Sequence, residues 1–505
     1  MPDRIRHPAL AARRMSAADA AALIRPGMTV AMSGFTGAGH PKAVPPALAA
    51  RITRAHAGGD AFQVNLLSGA STAPELDGLL ARADGIALRM PYQSDPDARA
   101  RINAGEFEYI DLHLSHVAQQ ARAGFFGPID VAVVEVSGIL ADGRLVPSSS
   151  LGSNKTWLEL ADQVILEVNR AQPAQLEGMH DIYYGMATPP GRRPIPLLNP
   201  DDRIGEAYLR VDPARVVAVV ATDAPDRHTA FSAPDATSTR IAGHLLDFLA
   251  DEIQRGRLTP QLLPLQSGVG NVANAVLAGL ANGGYRDLSA YTEVVQDGML
   301  GLLKDGVLRT ASATAFSLSP AGIAEFVANV DFYRERIVLR PQEISNHPEL
   351  IRRLGCIAMN GMLEADLYGN VNSSHVAGSR IMNGIGGSGD FARNAWLSVF
   401  MSPSTAKHGA ISAIVPMVSH VDHTEHDVMV VVTEQGLADL RGLSPKQRAA
   451  QVIERCAHPD YRPALQDYFE RACRDGYGRH TPHLLGEALA WHQRFIDTGS
   501  MRAAR

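Results

Sequence analysis

Cysteine is scarce in this 505-residue chain: Cys356, Cys456 and Cys473 are odd in number, far apart and form no CxxC pair. That excludes a disulfide framework and a cysteine-based zinc site, and it suits a reducing compartment. No apolar run approaches the roughly 20 residues that a bilayer span requires. The arginine-bearing start, "MPDRIRHPALAARRMSAADAAALI", lacks the continuous apolar stretch of a secretory signal, and Asp3 and Asp19 argue against a transit peptide. The expectation is a cytoplasmic protein. Positive charge is not in excess: 47 Lys and Arg against 53 Asp and Glu leave a net charge of −6, which argues against a nucleic-acid or anionic-membrane partner. Missing too are a G-x-S-x-G elbow and an HExxH helix, so neither a serine acyl-hydrolase nor a zinc peptidase is supported.

What is present is ordinary globular material, 46% hydrophobic and 20% charged, in a chain too long for one core. Short apolar runs alternate with amphipathic helical stretches. "DVAVVEV" (Asp130 to Val136), "QVILEVN" (Gln163 to Asn169) and "RVVAVVAT" (Arg215 to Thr222) read as strands covered on both faces. In "RIAGHLLDFLADEIQRG", Ile241, Leu245, Leu249 and Ile253 form one helical stripe closed by Gly256. "AISAIVP" (Ala410 to Pro416) and "DVMVVVT" (Asp427 to Thr433) read as later strands. The alternation predicts an α/β fold. "ATDAPDRHTAFSAPDATS", without a period, marks a boundary that divides the chain into domains 1–227 and 228–505.

Three glycine-rich turns stand out. In "SGFTGAGHPK", Gly34 and Gly39 have Walker-A spacing, but His40-Pro41-Lys42 replaces the Gly-Lys-Ser/Thr that magnesium binding needs. An NTPase is rejected, and the turn is either a tight βα connection or an anion cradle at a helix start. "LPLQSGVGNVANAVLAGL" carries Gly268-x-Gly270-x-x-Ala273, the relaxed dinucleotide fingerprint, with Glu293 at ribose-holding distance. An NAD-dependent oxidoreductase is therefore the alternative from a different class. "MNGIGGSGDFARNAW" packs Gly384, Gly386, Gly387 and Gly389 ahead of a helix, a pattern that lets backbone N–H groups close on a phosphate or an oxyanion.

Two further segments carry chemistry-bearing side chains. "SHVDHTEHD" spaces His420, His423 and His426 by three with Asp422 and Asp427 among them; a polar turn is the expectation, with no metal. "LSAYTEVVQDGML" sets Glu293 inside a run that otherwise reads as a buried strand, where an ionised carboxylate costs several kcal/mol unless paired or useful. "EISNHPELIRRLG" reads as a helix start, with Ser345 or Asn346 capping and Pro348 in the first turn.

Taken with "SGFTGAG", "EVVQDGML", "RRLGCIAMNGMLEADLYGNVNSSHVAGSRIMNGIGGSGDFAR", "FMSPSTAKHGAISAIVPMVSHVDH" and "VTEQGLADLRGLSP", these stretches resemble the acetyl-CoA hydrolase/transferase family of class I CoA-transferases, in particular its bacterial succinyl-CoA:acetate branch. The likeness covers almost the whole chain and is weakest from about Met186 to Leu197. It implies two similar open-sheet α/β domains and a homodimer. The activity it implies moves CoA between succinyl-CoA and acetate through a glutamyl-CoA thioester on Glu293, with acetyl-CoA hydrolysis as the alternative within the family. By the same resemblance Asn346 sits beside Glu293, while Val269 and Gly387 give backbone N–H groups to an oxyanion. Leu265, Gln266, Ser267, Gly268, Val269, Leu363, Asn383, Gly387 and Lys407 would line the CoA site. Ser71, Arg227 and Glu434 fall at substrate-side positions. Acyl-CoA and small carboxylates are the implied partners; CoA is a substrate, and no permanently bound cofactor is implied.

Overall fold

The computed structural model describes residues 4–70, 73–227 and 233–503. They form two compact units: residues 4–227 with 289–354, and residues 233–288 with 355–503. Among the described residues no helix is long and apolar enough to cross a membrane.

The first unit is built on an eight-stranded sheet. Its strands are β1 (Thr29–Met32), β2 (Val64–Leu67), β3 (Ile86–Met90), β4 (Glu108–Tyr109), β5 (Val131–Ile139), β6 (Leu145–Pro147), β7 (Gln163–Asn169) and β8 (Val216–Thr222). The order across the sheet is β4-β3-β2-β1-β5-β7-β8, all parallel, with β6 antiparallel to β5. All nine residues of β5 are buried, as a strand covered on both faces requires. The helix Val44–Ala57 covers one face through Val44, Leu48 and Ile52, spaced four apart along one stripe, and Pro45 fits its first turn, where no N–H is needed. Truncating Leu48 to alanine would cost about 2–5 kcal/mol. Strand order reverses between β1 and β5, and the "SGFTGAGHPK" turn leaves β1 at that switch point, where open α/β sheets place ligands.

Residues 289–354 complete this unit. Leu308–Ala313 pairs in parallel with Ile337–Leu339, and Val294–Gln296 pairs in parallel with Ala315–Ser317. Ser150 bridges Ala315, and His180 bridges Leu339, so the segment is stitched to the first sheet's connections.

The second unit orders its parallel strands Leu265–Ser267, Ile357–Gly361, Leu397–Met401 and Val430–Thr433, and a tight turn returns Gly436–Asp439 antiparallel along the edge. The helix Ala236–Gln254 buries Ile241, Leu245 and Leu249 as their spacing predicts, with Ile253 half-buried; Asp235 caps its start by accepting from Ser238 N at 2.7 Å. "AISAIVP" does not form one strand of this sheet. It breaks into Ile411–Ser412 and Ile414–Val415, each in a smaller sheet. "DVMVVVT" enters the main sheet only from Val430.

Candidate functional site

Glu293 does not lie within a strand. The run divides into Leu288–Tyr291 and Val294–Gln296 with Glu293 at a bend between them, and the helix Asp297–Lys304 follows at once. The bend is held by its own backbone: Glu293 O accepts from Thr314 N at 2.9 Å and Ala315 N at 3.2 Å, while Thr292 N donates to Ser312 O at 2.9 Å. Leaving the ladder here frees the side chain from the alternation of the strand. The next residue, Val294, packs in an apolar cluster with Phe35, Ala70, Leu114 and Ala315, flanked by Tyr92.

Among the described residues, the Glu293 carboxyl accepts one side-chain hydrogen bond, from Asn346 Nδ2 to Oε1 at 2.9 Å. Burial pushes its pKa up from 4.5 to about 7, and the Asn346 donor offsets part of that rise. Four other carboxylates of this unit are paired with cations. Glu343 receives Arg122 at 2.6 and 3.0 Å and Lys155 at 2.9 Å; burial would raise its pKa, but these cations outweigh it and hold it below the usual value. Asp226 takes Lys42 at 2.9 Å and Gln172 at 2.9 Å, and is likewise held low against its burial. Asp77 pairs with Arg89 at 2.8 Å, and Asp181 pairs with Arg340. Among the described residues, Glu293 meets a neutral amide at Oε1 instead of a cation.

Asn346 closes the four-residue helix Gln342–Ser345, and a separate helix, Pro348–Leu354, begins two residues later. Of the two expectations for Asn346, the side-chain amide follows the family resemblance and donates to Glu293, while the residue itself stands at the C-terminal cap of Gln342–Ser345. The short helix is pinned on several sides. Gln342 N donates to Gly152 O at 2.8 Å, the Tyr291 hydroxyl donates to Ile344 O, and Glu343 holds its two cations. Sequence reasoning missed Tyr291, Arg122, Lys155 and Ser345 as the cradle of Asn346. Tyr291, Glu343 and Ser345 lay inside segments singled out beforehand, and Arg122 and Lys155 did not.

The "SGFTGAGHPK" turn does not present a vacant anion cradle at the helix start. Glu167 fills that position, accepting from Ala43 N at 2.9 and 3.0 Å and from Val44 N at 3.0 Å, and also from Lys42 N. Lys42 is itself buried against Glu135 and Asp226. The same turn does seat Arg227, whose N–H donates to Gly37 O at 3.0 Å. A Cβ on Gly37 would lie 2.8 Å from Arg227 Cβ, so glycine is needed for this approach. The half-exposed Arg227 guanidinium donates to Glu75 Oε1 at 2.7 Å. Ser71 lies outside the described residues.

In the second unit, Leu265, Gln266 and Ser267 form a buried strand, and Val269, 51% exposed, follows at the turn. Gln266 is occupied within its sheet: Oε1 accepts from Met359 N at 3.0 Å and Nε2 donates to Asn360 Oδ1 at 3.2 Å. Gly270 has φ +128°, consistent with a strand-to-helix turn into Asn271–Asn282. Gly387 directly precedes the helix Ser388–Asn394, and Gly386 at φ +55° makes the turn into it. Leu363 is 37% exposed, and Asn383 is half-buried in the same glycine-rich stretch. Lys407 is exposed in a left-handed turn with its ammonium 4.9 Å from the Phe495 ring centroid. Glu434 binds the adjoining loop, accepting from Ser404 N at 2.7 Å and Gln435 Nε2 at 2.8 Å.

The three histidines spaced by three do not converge. His423 is buried against Phe400 and bonds the Ser388 hydroxyl at 3.2 Å, while His426 is exposed. His420 instead stacks on His375 at 3.8 Å and lies 3.3 Å from Asp422, whose carboxylate is engaged by Ser373 N at 2.6 Å and Ser374 Oγ at 2.7 Å.

Comparison with known proteins shows the family. Residues 7–221 match the acetyl-CoA hydrolase/transferase N-terminal domain, and residues 322–469 match its C-terminal domain. The chain is 50% identical over 499 residues to the succinyl-CoA:acetate CoA-transferase of Clostridium kluyveri, covering 99% of this chain and 92% of that one. It is 46% identical to an acetyl-CoA hydrolase of Schizosaccharomyces pombe, covering 94% and 93%. RipA from Yersinia pestis shares the fold, with a TM-score of 0.70 at 23% identity over 91% of this chain and 97% of that one.

Proposed function

Because the chain belongs to the acetyl-CoA hydrolase/transferase family, an enzymatic family acting on CoA thioesters, we propose that it transfers CoA between succinyl-CoA and acetate through a covalent Glu293 intermediate. The dinucleotide alternative loses its footing with that membership. The observation that carries the reading is the Glu293 carboxyl itself: at a bend, beside an apolar cluster and, among the described residues, met by one amide donor and no cation.

In this reading a Glu293 oxygen attacks the thioester carbonyl, the C–S bond breaks, and CoA leaves as thiolate. The thiolate then attacks the Glu293 carbonyl carbon of the mixed anhydride. Its C–O bond breaks, and the product carboxylate departs with the electron pair. A second carboxylate reverses the sequence, giving ping-pong order. No proton changes hands, since both attacking groups are anions. Each tetrahedral intermediate puts charge on oxygen, and we assign its donors to the backbone N–H groups of Val269 and Gly387, with Asn346 serving the Glu293 oxygen. Oxyanion donors are worth about 3–4 kcal/mol each. Leu265, Ser267, Gly268, Leu363, Asn383 and Lys407 are assigned to CoA, and Arg227 to the distal carboxylate of a dicarboxylic acyl group.

Intact-mass analysis after mixing with acyl-CoA, followed by peptide mapping, tests this. A CoA-sized adduct on Glu293, discharged by borohydride and absent in Glu293→Ala, is expected. Turnover by unmodified protein would refute the mechanism. Relatives named as hydrolases keep a second reading in play. Thioester loss at full rate without added carboxylate would favour it.

A further inference from the structure

Asn346 is held at both ends of its amide. Nδ2 donates to Glu293 Oε1 at 2.9 Å, and Oδ1 accepts from Ser345 Oγ at 2.9 Å. Ser345 and Asn346 are both fully buried. The backbone around them leaves little freedom: Asn346 N donates to Gln342 O at 2.9 Å, Ser345 N donates to Pro341 O at 3.1 Å, and the preceding carbonyl is taken by Tyr291. Rotation of the amide about its last torsion is the soft coordinate that remains. A half-turn there exchanges donor for acceptor.

While Glu293 is ionised, its charge alone selects the orientation that points Nδ2 at it. Acylation removes that charge. In the anhydride and thioester stages the Glu293 oxygen is a neutral, weaker acceptor, so its hold on the amide falls by roughly half. Those are also the stages at which the next attack returns negative charge to the Glu293 oxygen, so a flipped amide would then face it with Oδ1. The Ser345 hydroxyl is unaffected by the charge of Glu293 and keeps Oδ1 on its own side throughout.

We propose that Ser345 is a positioning residue that holds the Asn346 donor on Glu293 through the charge-neutral stages of the reaction. The proposal rests on the covalent Glu293 reading given above. Its effect is confined to rates out of the acylated enzyme, with the binding of acyl-CoA unchanged.

A double-mutant cycle tests it: Ser345→Ala, Asn346→Ala and the double variant, with Ser345→Thr retaining the hydroxyl. Single-turnover rates are measured for formation of the Glu293–CoA thioester and for its discharge by acetate. Ser345→Ala should slow discharge about fivefold, the size of one neutral hydrogen bond, with KM for acyl-CoA unchanged and Ser345→Thr near wild type. In the Asn346→Ala background the same substitution should add nothing. Full additivity in that background, a raised KM for acyl-CoA, or no loss at all would overturn the proposal. Absence of any adduct on wild-type Glu293 would refute the covalent reading instead, whatever the cycle shows.

Discussion

Replacing Glu293 with glutamine should stabilise the protein, by an amount that grows as pH rises above about 4.5 and levels off above about 7. The folded carboxyl has its pKa raised from 4.5 to about 7, chiefly by burial. A raised carboxyl pKa means that the folded state binds the proton more tightly than the unfolded chain. Stability therefore falls as pH rises from about 4.5 to about 7, and stays at its lower level above that. At about 1.4 kcal/mol per pH unit the full effect is about 3 kcal/mol. Glutamine is isosteric and neutral, keeps an oxygen for Asn346 Nδ2, and has no such penalty. Thermal melts of wild type and Glu293→Gln at matched pH should show a gap in Tm of several degrees at pH 8.5, closing by pH 4.5. Other titrating groups cancel because they are common to both proteins. A gap independent of pH, or a variant less stable than wild type at pH 8.5, would refute the claim that this carboxylate is held ionised against its surroundings.

The same pKa sets a kinetic expectation: the nucleophile is the carboxylate, so kcat/KM for acyl-CoA should rise with pH through an inflection near 7, read from a pH–rate profile. Asn346→Ala removes the interaction that lowers this pKa, and should move the inflection upward while reducing kcat about 10²-fold. Arg227→Ala should raise KM for succinate about tenfold or more through loss of a charge-assisted bond, with acetate nearly unaffected. Gly37→Ala should give a milder form of the same selectivity change in initial-rate assays, because its Cβ would press on Arg227 at 2.8 Å. Lys42→Met would leave Glu135 and Asp226 buried without their cation, and should cost about 3–5 kcal/mol in urea unfolding without changing the pH–rate inflection.

The parallel sheets were legible because apolar runs of strand length are a local signal, and β5 and β7 fall where "DVAVVEV" and "QVILEVN" read as strands. Glu293 was legible for the opposite reason: a charge in such a run is anomalous, and the anomaly pointed to the side chain although the run itself breaks there. What escaped reading is set by contacts that span large sequence separations. Glu167 reaches the helix start at Ala43 from 124 residues away, and its effect is to turn an apparent anion site into an internally satisfied one. Arg122 meets Glu343 across 221 residues, and nothing in "EISNHP" distinguishes a glutamate that anchors a turn from one that faces water. The Ser345–Asn346–Glu293 chain joins both kinds: two neighbours in sequence, legible as polar residues near a helix end, and a third 53 residues away that gives them their purpose. Helix-capping logic assigns such residues to backbone N–H groups because those are the partners that sequence alone supplies. A carboxyl that meets no cation among the described residues is a stronger claimant, and it was the family resemblance, not capping logic, that set it beside Asn346.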